Sequence, residues 1–217
     1  MENNCSKLHK IFNDCKHHSI PYNENEIPKN GIYILFEKGE FAHGGKRIVR
    51  IGTHTGADQL RSRIKQHFLS KNKDRSIFRK NIGRAILNSK NDCFIEQWEW
   101  DLTTRANKEK YSDLLDKEKQ EMIENQVTEY MQSNFSFAVF EINEKDDRML
   151  FESRIISTVS NCHECGGNEN WLGNHSPKEK IRKSGLWLIN ELWKKSITDE
   201  ELIKLTELVK STTYNNV

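Results

Sequence analysis

Proline is scarce in this chain: three of the 217 residues are proline, and no stretch rich in proline or serine looks like a linker. No apolar run approaches the ~20 residues needed to cross a bilayer, which argues against a membrane-spanning helix. The first residues, Met1–Ile11, lack the apolar run of a secretory signal. The five cysteines are an odd number, so we expect reduced thiols and a cytoplasmic protein.

The chain also lacks a strong net charge, which is only +2, but the charge is unevenly spread. His43–Lys90 has 13 Lys and Arg against 2 acids, a net +11. Asn91–Ile155 has 8 Lys and Arg against 16 acids, a net −8. A basic block of this density could bind phosphates, or it could be an ordinary solvated surface.

Although 30% of the residues are charged, 20 aromatic residues and long periodic segments favour a folded chain. Apolar residues at helical spacing predict helices at Cys5–His17, Ala57–Leu69, Ile77–Leu87, Asn107–Gln132, Asp146–Ser160 and Thr198–Val209. Residues with high strand propensity predict strands at Gly31–Glu37, Arg47–Thr53 and Ser136–Ile142, with a hairpin turn at Lys38–Gly45. Cys93–Leu102 is ambiguous and could form another strand.

Glu152 falls within the apolar stripe of its predicted helix, a stripe formed by Phe151, Ile155, Ile156 and Val159. A carboxylate that faces the core is costly unless a cation meets it. A buried salt bridge to an arginine would satisfy it, and so would a metal ion. Residues further upstream favour the metal ion.

Arg63 and His67 are four residues apart and therefore share one helical face, at the edge of an apolar stripe. An arginine there could hold a phosphate, and a histidine could move a proton near neutral pH. On a basic helix, both could equally be surface residues. Tyr33, on the first strand, is core packing unless a nearby cation favours its phenolate, which could act as a base.

These residues resemble the motif of the GIY-YIG nuclease family. Asn30–Ile34 reads Asn-Gly-Ile-Tyr-Ile and is similar to the first half of the motif, and Arg50–Thr53 stands where the second half belongs. Arg63-x3-His67 and then Glu152 follow in the family's order. The likeness extends over Lys29–Gly173, interrupted by the predicted helix Asn107–Gln132, which is rich in acidic residues and is called the acidic helix below.

The resemblance implies an α+β fold, a small three-stranded antiparallel sheet flanked by helices, with a helical insertion and a C-terminal helical extension. We accordingly expect a lead-in over residues 1–28, a nuclease domain over residues 29–175 with its insertion at about 105–132, and an extension over residues 176–217.

The resemblance also implies hydrolysis of DNA phosphodiester bonds with Mg²⁺ or Mn²⁺. By analogy, Tyr33 would orient or deprotonate the attacking water, and His67 would assist proton transfer. Arg63 would stabilise charge on the scissile phosphate, and Glu152 would hold the metal. A late asparagine often completes the family's site, and Asn170 is our choice over Asn168 and Asn174.

Arg50 departs from the family pattern, because a tyrosine is expected there. Either the site has decayed, or the arginine is a different solution that favours the phenolate of Tyr33 and holds a phosphate oxygen. Strict alternation along the strand would place Arg50 on one face with Ile48 and Gly52.

Outside the motif, Lys65, Lys80 and Arg84 are candidate contacts to the DNA backbone. The acidic helix could bind a protein partner or a second copy of the chain. Cys162-x2-Cys165 is either a plain reduced pair or half of a zinc site. The other half would then come from Cys5, Cys15, His17 or His18.

The leading hypothesis is a metal-dependent DNA endonuclease. The alternatives are a catalytically inactive nucleic-acid-binding module on the same fold and a regulatory protein with a vestigial site.

Overall fold

The computed structural model describes residues 3–214, leaving out the side chains of residues 213 and 214. Three strands form one antiparallel sheet in the order β2-β1-β3: β1 (Gly31–Ala42), β2 (Gly45–Gly52) and β3 (Phe135–Glu141). The helices are α1 (Asn4–Asn13), α2 (Leu60–Phe68), α3 (Ile77–Ser89), α4 (Ile95–Glu99), α5 (Arg105–Tyr111), α6 (Lys117–Asn134), α7 (Lys145–Ser160), α8 (Glu179–Ser184) and α9 (Asp199–Tyr214). The α+β fold with a three-stranded sheet and flanking helices is confirmed.

The central strand β1 separates two hydrophobic cores, because successive strand residues point to opposite faces of a sheet. Ile32, Ile34 and Phe36 pack into a core shared with α1, α7 and α9. Tyr33 and Leu35 point the other way, into a core shared with α2, α3 and α6. The same alternation therefore builds both layers and selects the layer in which Tyr33 lies.

Strict alternation fails along β2, and our expectation that Arg50 shares a face with Ile48 is wrong. Leu35 pairs with Arg50, whereas the next residue, Phe36, pairs with Ile48, so Val49 is an extra residue in β2. Such a bulge shifts the pleat by one position. Ile48 consequently points into the core of α1, α7 and α9, while Val49 lies in the opposite core. Arg50 lies on the Tyr33 face.

The hairpin turn is shorter than predicted. Its two central residues are His43 and Gly44, with φ of 52° and 75°, and β1 runs up to them. Two consecutive positive φ values are typical of the tight turns that match the twist of a hairpin. Gly39, with a φ of 85°, lies in an irregular part of the pairing and lets β1 continue through the residues we had assigned to the turn.

The helix predicted at Asn107–Gln132 is two helices. Asp116 interrupts it, because its carboxylate accepts the Lys119 N–H at 2.9 Å and caps the start of α6. The ambiguous segment Cys93–Leu102 contains the short helix α4 and adds no strand to the sheet. Within residues 3–214, no helix has the length and apolar character needed to cross a membrane.

Glu37, in the middle of β1, ties the C-terminal half of the chain to the sheet. Its buried carboxylate accepts the indole N–H groups of Trp171 and Trp187 at 2.7 and 2.8 Å, and the hydroxyl of Tyr130. Burial raises the pKa of Glu37, and these three donors oppose the shift. One carboxylate thus fixes α6 and the segment around Trp187, which passes close to Arg50.

Candidate active site

The Tyr33 side chain lies directly across the sheet from Gly52. The two residues are paired in the β1–β2 register. A Cβ atom at position 52 would lie 2.1 Å from the Tyr33 hydroxyl oxygen, which is far too close for any side chain. Gly52, the glycine of the second half-motif, therefore leaves the space that the Tyr33 phenol occupies.

A chain of hydrogen bonds leads away from the Tyr33 hydroxyl. It lies 2.9 Å from Nε2 of His67, whose Nδ1 lies 2.7 Å from the hydroxyl of Ser76. Ser76 also caps α3 by accepting the Arg79 N–H at 3.2 Å. In the tautomer that carries its proton on Nδ1, His67 donates to Ser76 and accepts from Tyr33. That arrangement is suited to taking a proton from the phenol.

His67 is held neutral by its surroundings. It is 0% exposed, and this burial is the largest influence that lowers its pKa well below 6.5. The positive charges of Arg50, Arg63 and Arg79 lower it further. Arg79 also donates to the carbonyl of His67 at 3.0 Å and pairs with Glu124 of α6. A histidine that is neutral at physiological pH has a free lone pair and can act as a base.

Glu152 lies beside this group. Its Oε1 accepts the backbone N–H of Thr53, the residue after Gly52, at 3.0 Å. The side chain is half-buried, and burial raises the pKa of its carboxyl, an effect opposed by Arg50 and by the Thr53 hydrogen bond. Among the described residues, no hydrogen-bond donor meets its second oxygen, which leaves one carboxylate oxygen for a ligand.

Arg50 is near enough to His67 and to Glu152 for its positive charge to act on each, in the direction that lowers the pKa. Its guanidinium lies over the ring of Phe78, 4.9 Å from the centroid, and donates to the carbonyl of Trp187. Its Nε is buried and has no hydrogen-bond partner among the described residues. A buried cationic donor without a partner is costly, and an anion would satisfy it.

Arg63 lies at the rim of an open cleft beside these residues. It donates to the side chain of Gln66 at 3.2 Å and to the carbonyl of Arg75 at 3.3 Å, and both contacts are exchangeable with solvent. The cleft is lined by Thr53, His54, Thr55, Gln59, Ser62, Arg63 and Gln66. Tyr33, Arg50, Arg63, His67 and Glu152 are thus brought together at one end of the sheet.

Comparison with known protein families assigns the chain to one of them. The model of the GIY-YIG domain matches residues 4–215, nearly the whole chain. The chain belongs to the GIY-YIG family. No curated protein and no solved structure gives a significant match to it. GIY-YIG domains are generally endonucleases, and the likeness seen in the sequence around Tyr33 and Gly52 is confirmed at the level of the family.

Other predicted site residues of this GIY-YIG protein lie elsewhere. Asn170 is exposed in the loop after α7. Its neighbour Asn168 donates to the carbonyl of Gly39, which places the loop near the hairpin end of β1. Tyr33 lies near the opposite end of that strand, six residues from Gly39, or about 20 Å at the usual rise. The structure does not bring Asn170 to the cluster.

Two of the predicted DNA contacts are buried in ion pairs. Lys80 is 8% exposed and lies 3.5 Å from Asp74, and Arg84 is 5% exposed and pairs with Glu99. The prediction that Lys80 and Arg84 contact DNA is therefore wrong, because their charges are already neutralised inside the fold. Lys65 is exposed and pairs with Glu24 at 2.7 Å, a contact that solvent and salt weaken.

Sequence reasoning missed Ser76, Arg79 and the carbonyl of Trp187. Ser76 could have been recognised as the cap of the helix at Ile77, but not as a partner of His67, which lies nine residues earlier. His54 was also missed. Its Nε2 accepts the Gly31 N–H at 3.3 Å, and its Nδ1 lies 2.6 Å from the Gly56 carbonyl, so it supports the loop that follows β2.

The depressed pKa of His67 predicts a pH-dependent stability. Because its pKa is lower in the folded than in the unfolded chain, the unfolded chain binds more protons below about pH 6.5. His67 therefore does not lower the free energy of unfolding above that pH, and lowers it progressively as the pH falls below it. His67→Gln should flatten the fall in unfolding free energy from pH 7 to pH 5 by up to about 1.4 kcal/mol per pH unit, measured by urea denaturation. Parallel pH profiles for the two proteins would contradict the buried, neutral assignment.

Proposed function

We propose that this GIY-YIG protein is a divalent-metal-dependent endonuclease that hydrolyses DNA phosphodiester bonds in the cleft at Arg63. The observation that carries the proposal is the juxtaposition of two features. The Tyr33 hydroxyl has a neutral acceptor, His67, at 2.9 Å, and Glu152 is bound to the residue that follows Gly52. A base and a carboxylate for a metal thus flank one strand end.

The residues present fit a hard divalent cation such as Mg²⁺ or Mn²⁺. Mg²⁺ in nuclease-type sites is commonly held by one or two carboxylates, with waters and substrate phosphates completing its coordination. Glu152 offers one oxygen that no described donor occupies, and burial disfavours its charge unless a cation is near. When bound there, the ion supplies positive charge to the scissile phosphate and the leaving oxygen.

The remaining steps fall to the side chains of the chain itself. The Tyr33 hydroxyl orients the attacking water. As the water oxygen bonds to phosphorus, the water gives a proton to the phenol oxygen and the phenol gives its own proton to Nε2 of His67, in the tautomer whose Nδ1–H faces Ser76. The bond from phosphorus to the leaving oxygen breaks, and that oxygen takes up a proton from solvent. Arg63 at the cleft rim and the unpartnered Nε of Arg50 bind phosphate oxygens. These cationic donors stabilise the charge that develops as the phosphodiester is attacked.

The surface available to bind DNA is smaller than the charge of the basic block His43–Lys90 implies. Six of its basic residues are buried: Arg47, Arg50, Lys73, Arg79, Lys80 and Arg84. Lys71 and Arg75 are exposed on the segment between α2 and α3, and Arg75 contacts Arg63 through its carbonyl. We therefore place the DNA backbone along Arg63, Lys65, Lys71 and Arg75.

Glu152→Gln should abolish cleavage of supercoiled plasmid in Mg²⁺, because the amide is a poor ligand for a hard cation. The fold should persist, since Thr53 can still donate to the amide oxygen. Glu144→Gln is a matched control, because Glu144 is exposed at the start of the same helix. Nicked and linear products would be quantified with Mg²⁺ present or omitted, alongside a thermal melt. Wild-type rates in Glu152→Gln would remove Glu152 from the metal site.

Arg50→Ala should slow cleavage about a hundredfold, the usual scale for losing one charged donor to a developing anion. Arg50→Tyr, which restores the family residue, should not raise activity, because a phenol replaces neither the positive charge nor the free Nε. Both variants would be compared with the wild type in single-turnover assays at matched folded fractions. A gain of activity in Arg50→Tyr would mean that the native site is decayed, and would favour a non-catalytic binding module.

A further inference from the structure

A second cluster of potential ligands lies at the hairpin end of the sheet. Cys162 precedes the short 3-10 helix after α7 and Cys165 is its last residue. Cys5 lies in α1, and His43 occupies the β1–β2 turn. The Sγ atoms of Cys5 and Cys165 are 3.5 Å apart. Nε2 of His43 lies 3.5 Å from Sγ of Cys165 and 3.3 Å from Sγ of Cys162. Three chain segments thus meet at this cluster.

These three distances are close to those between neighbouring ligands of a tetrahedral zinc centre. Zn–S bonds of about 2.3 Å and Zn–N bonds of about 2.0 Å place two sulfurs about 3.8 Å apart, and a sulfur and a nitrogen about 3.5 Å apart. A disulfide needs sulfurs about 2.05 Å apart, so Cys5 and Cys165 are free thiols at this distance. Thiolate-rich tetrahedral sites select zinc or iron–sulfur clusters, and one imidazole with three thiolates is a common structural zinc set.

We propose that Cys5, His43, Cys162 and Cys165 bind one structural Zn²⁺. Cys5 was one of the partners expected from the sequence for the Cys162-x2-Cys165 pair, and it lies in the cluster. His43 also lies in the cluster, although the sequence did not indicate it. The structure rules out the others. Cys15 donates to the carbonyl of Ile11, His17 stacks on Phe36, and His18 stacks on Phe137.

His9 is also close but is not a ligand. Its Nδ1 lies 3.0 Å from the carbonyl of Cys5, and its Nε2 accepts the Ile48 N–H at 3.2 Å. Both nitrogens are therefore engaged by backbone groups. The two nearby sulfurs also face different ring nitrogens, Cys5 towards Nδ1 at 3.7 Å and Cys165 towards Nε2 at 3.8 Å. One of its ring nitrogens lies within 4.8 Å of the ligand atoms of Cys5, His43 and Cys165, but we assign His9 to the backbone groups that both nitrogens already contact.

The groups around the cluster orient its ligands. Nδ1 of His43 lies 3.6 Å from the carboxylate of Glu164, the kind of partner that leaves Nε2 free for a metal. The buried guanidinium of Arg47 donates to the carbonyl of Cys165 at 3.1 Å and fixes that loop against β2. The His43 side chain is only 3% exposed, although it lies in a turn. Ligands that are prearranged and shielded in this way suit a structural site with no open position.

This site is distinct from the proposed active site. His43 lies beyond the Gly45 end of β2, whereas Tyr33 and Glu152 lie at the Gly52 end, about 20 Å along the strand. Zinc would join α1, the hairpin and the segment after α7, in addition to the apolar core and the hydrogen bonds that already connect them. It would therefore act on stability, and its test does not depend on nuclease activity.

The test is the metal content of the full-length protein, measured by inductively coupled plasma mass spectrometry after reduction and dialysis against a weak chelator. The wild type should retain about one Zn²⁺ per chain. Cys162→Ser and His43→Asn should lose it, and asparagine tolerates the positive φ of 52° at position 43. Cys15→Ser and Cys93→Ser, which alter cysteines outside the cluster, should retain it.

Each other outcome overturns the proposal. The wild type could contain no zinc even after refolding with one equivalent of Zn²⁺, or it could contain iron in place of zinc. Its mass could also be lower by two hydrogens because Cys5 and Cys165 have formed a disulfide. Zinc retained in both Cys162→Ser and His43→Asn overturns it as well. If those variants fail to fold, cobalt substitution of the wild type decides: intense thiolate-to-cobalt charge-transfer bands support the site, and their absence overturns it.

Discussion

The pairing of β1 along both of its edges is the constraint on which the rest of this structure depends. Because β2 and β3 hydrogen-bond to its two sides, β1 cannot rotate or slip, and each of its side chains is committed to one layer. Tyr33 is thereby held over Gly52, and Glu37 is held under two indoles and a phenol. At the end of β1, the hairpin turn places His43 beside Cys162 and Cys165.

Some opposite charges meet inside the fold, where Arg47, Lys73 and Arg79 each pair with an acidic side chain. The basic block and the acidic block of the sequence pair with each other through Arg79 and Glu124 and through Arg84 and Glu99. Arg79 also donates to the His67 carbonyl, so Glu124 of the acidic insertion helps to position the proposed base through Arg79. Removing one member of the buried pair would leave an uncompensated charge and should strongly destabilise the fold.

The sequence was sufficient to predict the sheet, most helices and the cluster of Tyr33, Arg63, His67 and Glu152, because these depend on local periodicity and on an ordered motif. It misplaced Arg50, since a bulge at Val49 changes the pleat without an obvious local signal. It misassigned Lys80 and Arg84, because whether a basic helix faces solvent or acidic partners is decided by tertiary packing. The convergence of His43 with Cys162 and Cys165 was equally invisible, since those residues are more than a hundred positions apart.

The hydrogen bond between Tyr33 and His67 joins the fold to the proposed chemistry, and the phenol oxygen is its decisive atom. Tyr33→Phe removes that oxygen and preserves the packing against Gly52. The most direct measurement is therefore the single-turnover rate of plasmid cleavage in saturating Mg²⁺ for the wild type and for Tyr33→Phe. We expect the rate to fall at least about a hundredfold, the scale of lost acid–base assistance, with an unchanged melting temperature. Equal rates in the two proteins would show that the hydroxyl takes no part in cleavage and would contradict the account.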